Sequence, residues 1–164
     1  MAITRLNNNS ITSITALPSG VGGKIVQVVH NSTVTQVTET TGSQVDTSLT
    51  ATITPSSSSN KIFVSLTQTF GKNATDTQID AYLYRDISGG SSSVIVSEWL
   101  NDDIRTGSAL NLYPGASSLV WLDSPSTTSA VTFRTRFRNA NASGTVYAQP
   151  NNGRSSIILM EVLS

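Results

Sequence analysis

One side chain in this sequence titrates near neutral pH without a large shift: His30, the single histidine of 164 residues. A general base needs an orienting acid or a nucleophile beside it. The local run Val28-Val29-His30-Asn31-Ser32 offers neither a Ser-x-Gly elbow nor a carboxylate. His30 therefore reads as a strand-end histidine. The adjacent acids Asp102-Asp103 could in principle hold a cation or form a glycosidase acid/base pair. Neighbouring residues of a strand point to opposite faces, and the spacing is not that of a calcium loop. Two solvated loop carboxylates are the better reading. No phosphate-cradling glycine loop, metal cluster or nucleophile motif occurs, so no enzyme activity, cofactor or metal is expected.

Binding chemistry is better represented than catalysis. Arg134, Arg136 and Arg138 recur at period two, which on one strand makes a basic stripe about 14 Å long. Such a stripe could face an acidic partner surface, a glycan carboxylate or a phosphate backbone. The competing reading pairs each arginine across strands with an acid of its own sheet, drawn from Asp80, Asp86, Glu98, Asp123 and Glu161. Trp99 and Tyr113 flank the loop-like 101–107 segment and are the candidate ligand-facing aromatics. Trp121 shares a face with Leu119 and is expected in the core.

Those residues must be positioned by strands. Charged residues are 12% of the chain and the formal net charge is zero. Ser, Thr and Asn take their place, which suits exposed β faces and lacks the footprint of a nucleic-acid binder. With no cysteine, disulfides, thiolate metal sites and cysteine nucleophiles are all removed. No run resembles a signal peptide or approaches the roughly 20 apolar residues of a membrane span. Retention in the cytosol that makes the protein is expected, with no membrane partner.

From Lys24 onward, apolar runs alternate with turn clusters. Lys24–Asn31 is apolar enough for a strand covered on both faces. Leu49, Ala51 and Ile53 alternate with threonine before Pro55-Ser-Ser-Ser-Ser-Asn60. Ile62, Val64, Leu66 and Phe70 share one parity, and Ile79, Ala81 and Leu83 continue the pattern up to the Gly89-Gly90 loop. Val94–Leu100, Ala109–Tyr113 and Ser118–Asp123 are shorter strands, the last two separated by Pro114-Gly115. In Val131–Asn139, Val131, Phe133 and Phe137 face one way and Thr132, Arg134, Arg136 and Arg138 the other. Gly144–Gln149 and Ser156–Leu163 complete the series. Eight to ten short strands without a helix predict an all-β fold, a jelly-roll-like antiparallel β-sandwich over residues 24–164.

Residues 1–23 differ. Ile3, Leu6, Ile11, Ile14 and Leu17 stand among polar residues ahead of Pro18-Ser-Gly-Val-Gly-Gly23. They read either as a frayed terminus or as an extended arm on a flexible glycine hinge, its five aliphatic side chains docking on a neighbouring subunit. Phe63, Ile95, Ile158, Met160 and Val162 fall on the parity opposite the core, so either the second sheet or a subunit partner must cover them.

The ordered set Gly23-Lys-Ile-Val-Gln-Val-Val29, Thr52-Ile-Thr-Pro-Ser-Ser-Ser-Ser-Asn-Lys-Ile62, Leu83-Tyr-Arg-Asp86, Leu122-Asp-Ser-Pro-Ser-Thr-Thr128 and Ser156-Ile-Ile-Leu-Met-Glu-Val162 resembles a domain of tailed bacteriophages. In marine phages and cyanophages it occurs in tail-fibre-like and capsid-associated virion proteins. The resemblance runs from about residue 20 to the C-terminus. It implies a homotrimeric, jelly-roll-like virion module without catalytic residues, assembled in the host bacterial cytoplasm. Long fibres carry such a module after a shaft. With about 20 residues ahead of it, a capsid decoration (cement) protein bound to the major capsid protein is expected first. A tail-fibre or tail-tip protein contacting tail or baseplate proteins and host glycans is the alternative.

Overall fold

The computed structural model describes residues 24–75, 77–88, 90, 92–100 and 113–164. Among them, ten strands follow one another: β1 (Ile25–Thr33), β2 (Val37–Glu39), β3 (Val45–Ile53), β4 (Lys61–Lys72), β5 (Ile79–Ile87), β6 (Ser92–Leu100), β7 (Tyr113–Asp123), β8 (Val131–Asn139), β9 (Val146–Ala148) and β10 (Ser155–Val162). Their pairings are antiparallel.

Register reduces the ten strands to eight positions. The long strand β4 pairs with β10 through residues 61–67 and with β9 through residues 70–72. β1 pairs with β10, and β2 with β9. Thus β1 and β2 form one interrupted strand, and β9 and β10 another, broken at the same level. The first sheet then runs (β1/β2)-(β9/β10)-β4-β7, and the second runs β3-β8-β5-β6. The chain crosses between the sheets in the manner of two Greek keys, which makes the fold a jelly-roll β-sandwich.

Alternation drives the layering. In β8 and β10 every second residue is buried, and a one-residue slip would turn Phe133, Phe137, Ile157 and Leu159 to water. One apolar cluster joins Leu49, Ile53, Ile62, Val64, Leu83, Phe133 and Leu159 between the sheets. A second joins Phe70, Ile79, Leu100, Phe137, Val146 and Ala148, with Phe70 stacked obliquely on Phe137 at 5.9 Å. Each fully buried Phe or Leu is worth roughly 1.5–3 kcal/mol.

Between the clusters lies a band of buried polar groups at the level where the paired strands break. Gln68 Oε1 accepts from Thr135 at 2.8 Å and from Thr47 at 3.4 Å. Its Nε2 donates to Ser155 at 3.2 Å, and Ser155 also accepts from the Thr69 N–H at 2.9 Å. The Gln149 amide donates to the carbonyls of Thr47 (2.8 Å) and Thr35 (3.0 Å), while its oxygen accepts from Gln68 and Ser155. Gln149 itself holds φ 53°. The band replaces the ladder bonds that the broken strands give up, and so satisfies buried groups that would otherwise cost about 1–3 kcal/mol each.

Two expectations are corrected. Pro114-Gly115 does not separate neighbouring strands: β7 runs through both residues. Among the described residues β7 pairs only with β4, and a proline without an N–H is tolerated on such an edge. β1 is not covered on both faces by the described residues, since Val28 is 57% exposed beside exposed Ile25 and Val26.

Candidate functional site

The two outer faces of the sandwich have opposite chemistry. On the second sheet, Arg134, Arg136 and Arg138 of β8 stand outward, as their parity predicts. Register brings Tyr84, Tyr82 and Asp80 of β5 opposite them in turn, with Asp46 of β3 across from Arg136. Arg134 Nε binds Asp86 at 2.6 Å, and its other branch binds Asp46. Arg136 reaches Asp46 at 3.3 Å and donates to the Gln44 carbonyl at 2.6 Å. Arg138 binds Asp80 at 2.7 Å and Glu98 at 3.5 Å. Tyr84 lies under both Arg134 (5.0 Å) and Arg136 (5.2 Å), and Tyr82 under Arg138 (5.9 Å).

The stripe is therefore a mixed-charge ladder whose arginines are engaged within their own sheet. Burial pushes the Asp86 carboxyl up, but bonds from Arg134 and Ser92 and the nearby guanidinium charges hold it below the usual range. The bond to Asp86 raises Arg134 further, and the bond to Asp80 does the same for Arg138. Of the acids expected to pair with these arginines, Asp123 instead binds Arg85 at 3.0 Å, an ion pair from β5 of one sheet to β7 of the other.

Glu161 pairs with no arginine among the described residues. Its carboxylate is fully buried and accepts from Asn60, the Ser56 N–H and the Ser56 hydroxyl, each at 2.7 Å, and from Gln27 at 2.6 Å. Burial alone would raise its pKa. The four neutral donors outweigh burial and hold it at about 2. The site pins the serine-rich 55–60 turn to β1 and β10. Its only sequence signal was a lone acid at an inward position of an otherwise apolar strand.

The outer face of the first sheet carries almost no charge among the described residues. One cross-strand row reads Val28, Met160, Phe63, Leu122, and the next His30, Ile158, Ser65, Val120. Val162 extends it toward the β1 start. Val120 is 61% and Leu122 50% exposed. Beyond these rows the surface turns to hydroxyls: Ser32, Ser156, Thr67 and Ser118. Phe63, Ile158, Met160 and Val162 are thus left uncovered by the second sheet. Ile95 differs, packing against the core from β6. Val28, Val120 and Leu122 complete the patch and were missed, although Val120 and Leu122 share a parity opposite Leu119.

His30 stands on this face with Ile158 as its register partner. Trp99 is half-buried. It packs on Phe70 at 6.0 Å and touches both core clusters. The cause is a bulge in β6, where the register with β5 shifts and Glu98 takes φ 49°, re-aiming the following side chain. Trp121, expected inside, keeps the parity of Leu119 but is 39% exposed on the edge strand. Tyr113 pairs through its backbone with Lys72, and its side chain lies outside the described residues, as do Asp102, Asp103, Ile3, Leu6, Ile11, Ile14 and Leu17. No group of three or more His, Cys, Asp or Glu with metal-binding geometry occurs among the described residues.

No protein family and no curated protein matches the sequence. Among solved structures, the chain is similar to the VP2 subviral particle of infectious bursal disease virus, at 13% identity and TM-score 0.44, covering 84% of this chain and 38% of that one. The structure of the Gx strain of the same virus gives 8% identity and TM-score 0.48, covering 84% and 37%. The chain thus spans less than two fifths of the length of these structures.

Proposed function

We propose that this chain is a structural subunit of a tailed-phage virion, first a capsid cement or decoration protein that clamps major capsid subunits. The observation that carries this is the largely apolar face of β1-β10-β4-β7, built from Val28, Phe63, Val120, Leu122, Ile158 and Met160 with Lys61 at its margin. Contiguous apolar patches of several hundred Å² on a β-sandwich mark surfaces that another protein covers. The ordered segments that resemble a tailed-phage virion domain support the same reading. Residues 1–23 supply a second apolar element for the clamp, and a homotrimer around the capsid lattice is the assembly that fits the resemblance.

Quantitative mass spectrometry of purified virions tests this reading. Copy numbers comparable to those of the major capsid protein are expected, and a few copies per particle at the tail would overturn it. A receptor-binding tail tip is the second reading, favoured by the 39% exposed Trp121 on edge strand β7. Glycan binding that vanishes in Trp121→Ala would establish it.

A further inference from the structure

A bulge in β3 opens a depression beside the mixed-charge ladder. Asp46 pairs with Arg136 of β8 and Thr50 with Arg134, so residues 47–49 stand opposite Thr135 alone. Thr47 and Leu49 both turn inward, and Ser48 takes φ 68° with its side chain exposed. The depression measures about 150 Å³ and is lined by Asp46, Ser48, Leu49, Thr50, Arg134 and Thr135. Its walls are fixed from behind. The Thr47 hydroxyl, bonded to Thr135 within the polar band, accepts from the Leu49 N–H at 3.2 Å. Asn31 of β1 donates to the Thr50 carbonyl at 2.7 Å. Walls held in this way lose little further freedom when a ligand binds.

The lining groups have hydrogen-bonding capacity left over. A guanidinium carries five N–H donors. Arg134 uses one on each of Asp86, Asp46 and Ser92. Both ion pairs of Asp46 end on its Oδ1, which leaves Oδ2 without a partner among the described residues. The exposed Ser48 and Thr50 hydroxyls also lack one among those residues. Local charge cancels, with Arg134 and Arg136 set against Asp46 and Asp86, so neither an anion nor a cation is favoured. A space of about 150 Å³ takes one six-membered ring. An apolar ring would desolvate the free carboxylate oxygen and the hydroxyls without replacing their hydrogen bonds, whereas a hydroxylated ring satisfies them.

We propose that the β3 bulge binds one neutral hexopyranose unit of a glycan. Asp46 Oδ2 accepts from one of two adjacent ring hydroxyls, an Arg134 N–H donates to the other, and Ser48 and Thr50 complete the contact. The Tyr84 ring is already taken up by Arg134 and Arg136 and offers no stacking platform. Affinity for a single unit is therefore in the millimolar range, and avidity comes from repeated copies on an assembly. The site lies on the second sheet, apart from the apolar face and from Trp121, and the inference rests on neither reading of the virion role.

Titration of the isotope-labelled full-length protein with the methyl glycosides of glucose, galactose and mannose, followed by amide nuclear magnetic resonance, tests the proposal. At least one glycoside should shift the Ser48, Leu49, Thr50 and Thr135 amides saturably, and glucuronate and glucosamine should bind more weakly. Asp46→Ala should weaken the interaction at least about tenfold, the loss of one charged hydrogen bond. Thr50→Val should weaken it severalfold, and Trp121→Ala should leave it unchanged. The same spectra report whether each variant is folded. If Asp46→Ala is not, Thr50→Val, altered at an exposed side chain, decides. No saturable shift with any of these glycosides, shifts centred elsewhere, tighter binding of glucuronate, or undiminished affinity in the folded site variants would overturn the proposal.

Discussion

Replacing Glu161 with glutamine tests the most unusual electrostatic arrangement in the domain. The carboxylate is fully buried, has no cationic partner among the described residues, and is held by four neutral hydrogen bonds of 2.6–2.7 Å from Gln27, Ser56 and Asn60. Its pKa falls from 4.5 to about 2, a difference equivalent to about 3 kcal/mol. The folded value lies below the unfolded one, so this stability is fully present above about pH 4.5 and is lost as pH falls toward 2. Glu161→Gln keeps the shape but turns an amide NH2 toward donors. At pH 7 it should lose about 3 kcal/mol, or about 6–12 °C in Tm for a domain of this size. The gap to wild type should then close as pH drops from 5 to 2, because protonation costs the wild type what the variant has already lost. Urea unfolding of both proteins at pH 7, 5, 4 and 3 measures this directly. Equal stability at pH 7, or a gap that stays constant with pH, would refute the reasoning.

Three other perturbations address separate features. Gln68→Leu removes the hub of the polar band and strands Thr135, Thr47 and Ser155; it should cost about 2–4 kcal/mol by chemical denaturation despite its added apolar surface. Gly144 has φ +64°, and an added Cβ would sit 2.4 Å from that of Ala74. Gly144→Ala should therefore destabilise by at least about 2 kcal/mol in thermal unfolding. Val120→Lys with Leu122→Lys alters side chains that are more than half or half exposed. It should change folding stability by no more than about 0.5 kcal/mol per site while abolishing incorporation into virions in a complementation assay.

Period-two alternation made most of the sandwich legible. β8 falls on Val131–Asn139 as read, with Phe133 and Phe137 inside and the arginines outside, because a half-buried central strand obeys a single constraint. Reading failed where more than one constraint acts. The β6 bulge at Glu98 turned Trp99 inward, and nothing local marks it. Pro114 ended a strand by propensity, yet the edge position of β7 tolerates it. Gln68 and Thr135 are polar residues at inward positions of their strands, and the aligned break of two paired strands gives them, with Gln149, buried partners. Of the five acids expected opposite the arginines, Asp80, Asp86 and Glu98 meet them, but Asp46, outside that set, binds two of the three, Asp123 pairs with Arg85, and Glu161 is held by the serine-rich turn.

The place of β10 has a consequence for how the chain is made. β10 is an inner strand, inserted between β1 and β4, although it follows both in sequence. Until residues 155–162 are available, β1 and β4 have no ladder partner on their facing edges and are separated by the width of a missing strand, about 10 Å. The first sheet therefore cannot close until residues 155–162 have emerged, and the intermediate before that carries two open edges and an unsealed core. Such non-local closure belongs to the millisecond-to-second regime of folding. A nonsense or frameshift lesion ahead of Ser155 would yield a chain in which β1 and β4 keep their facing edges unpaired, a template for edge-to-edge aggregation.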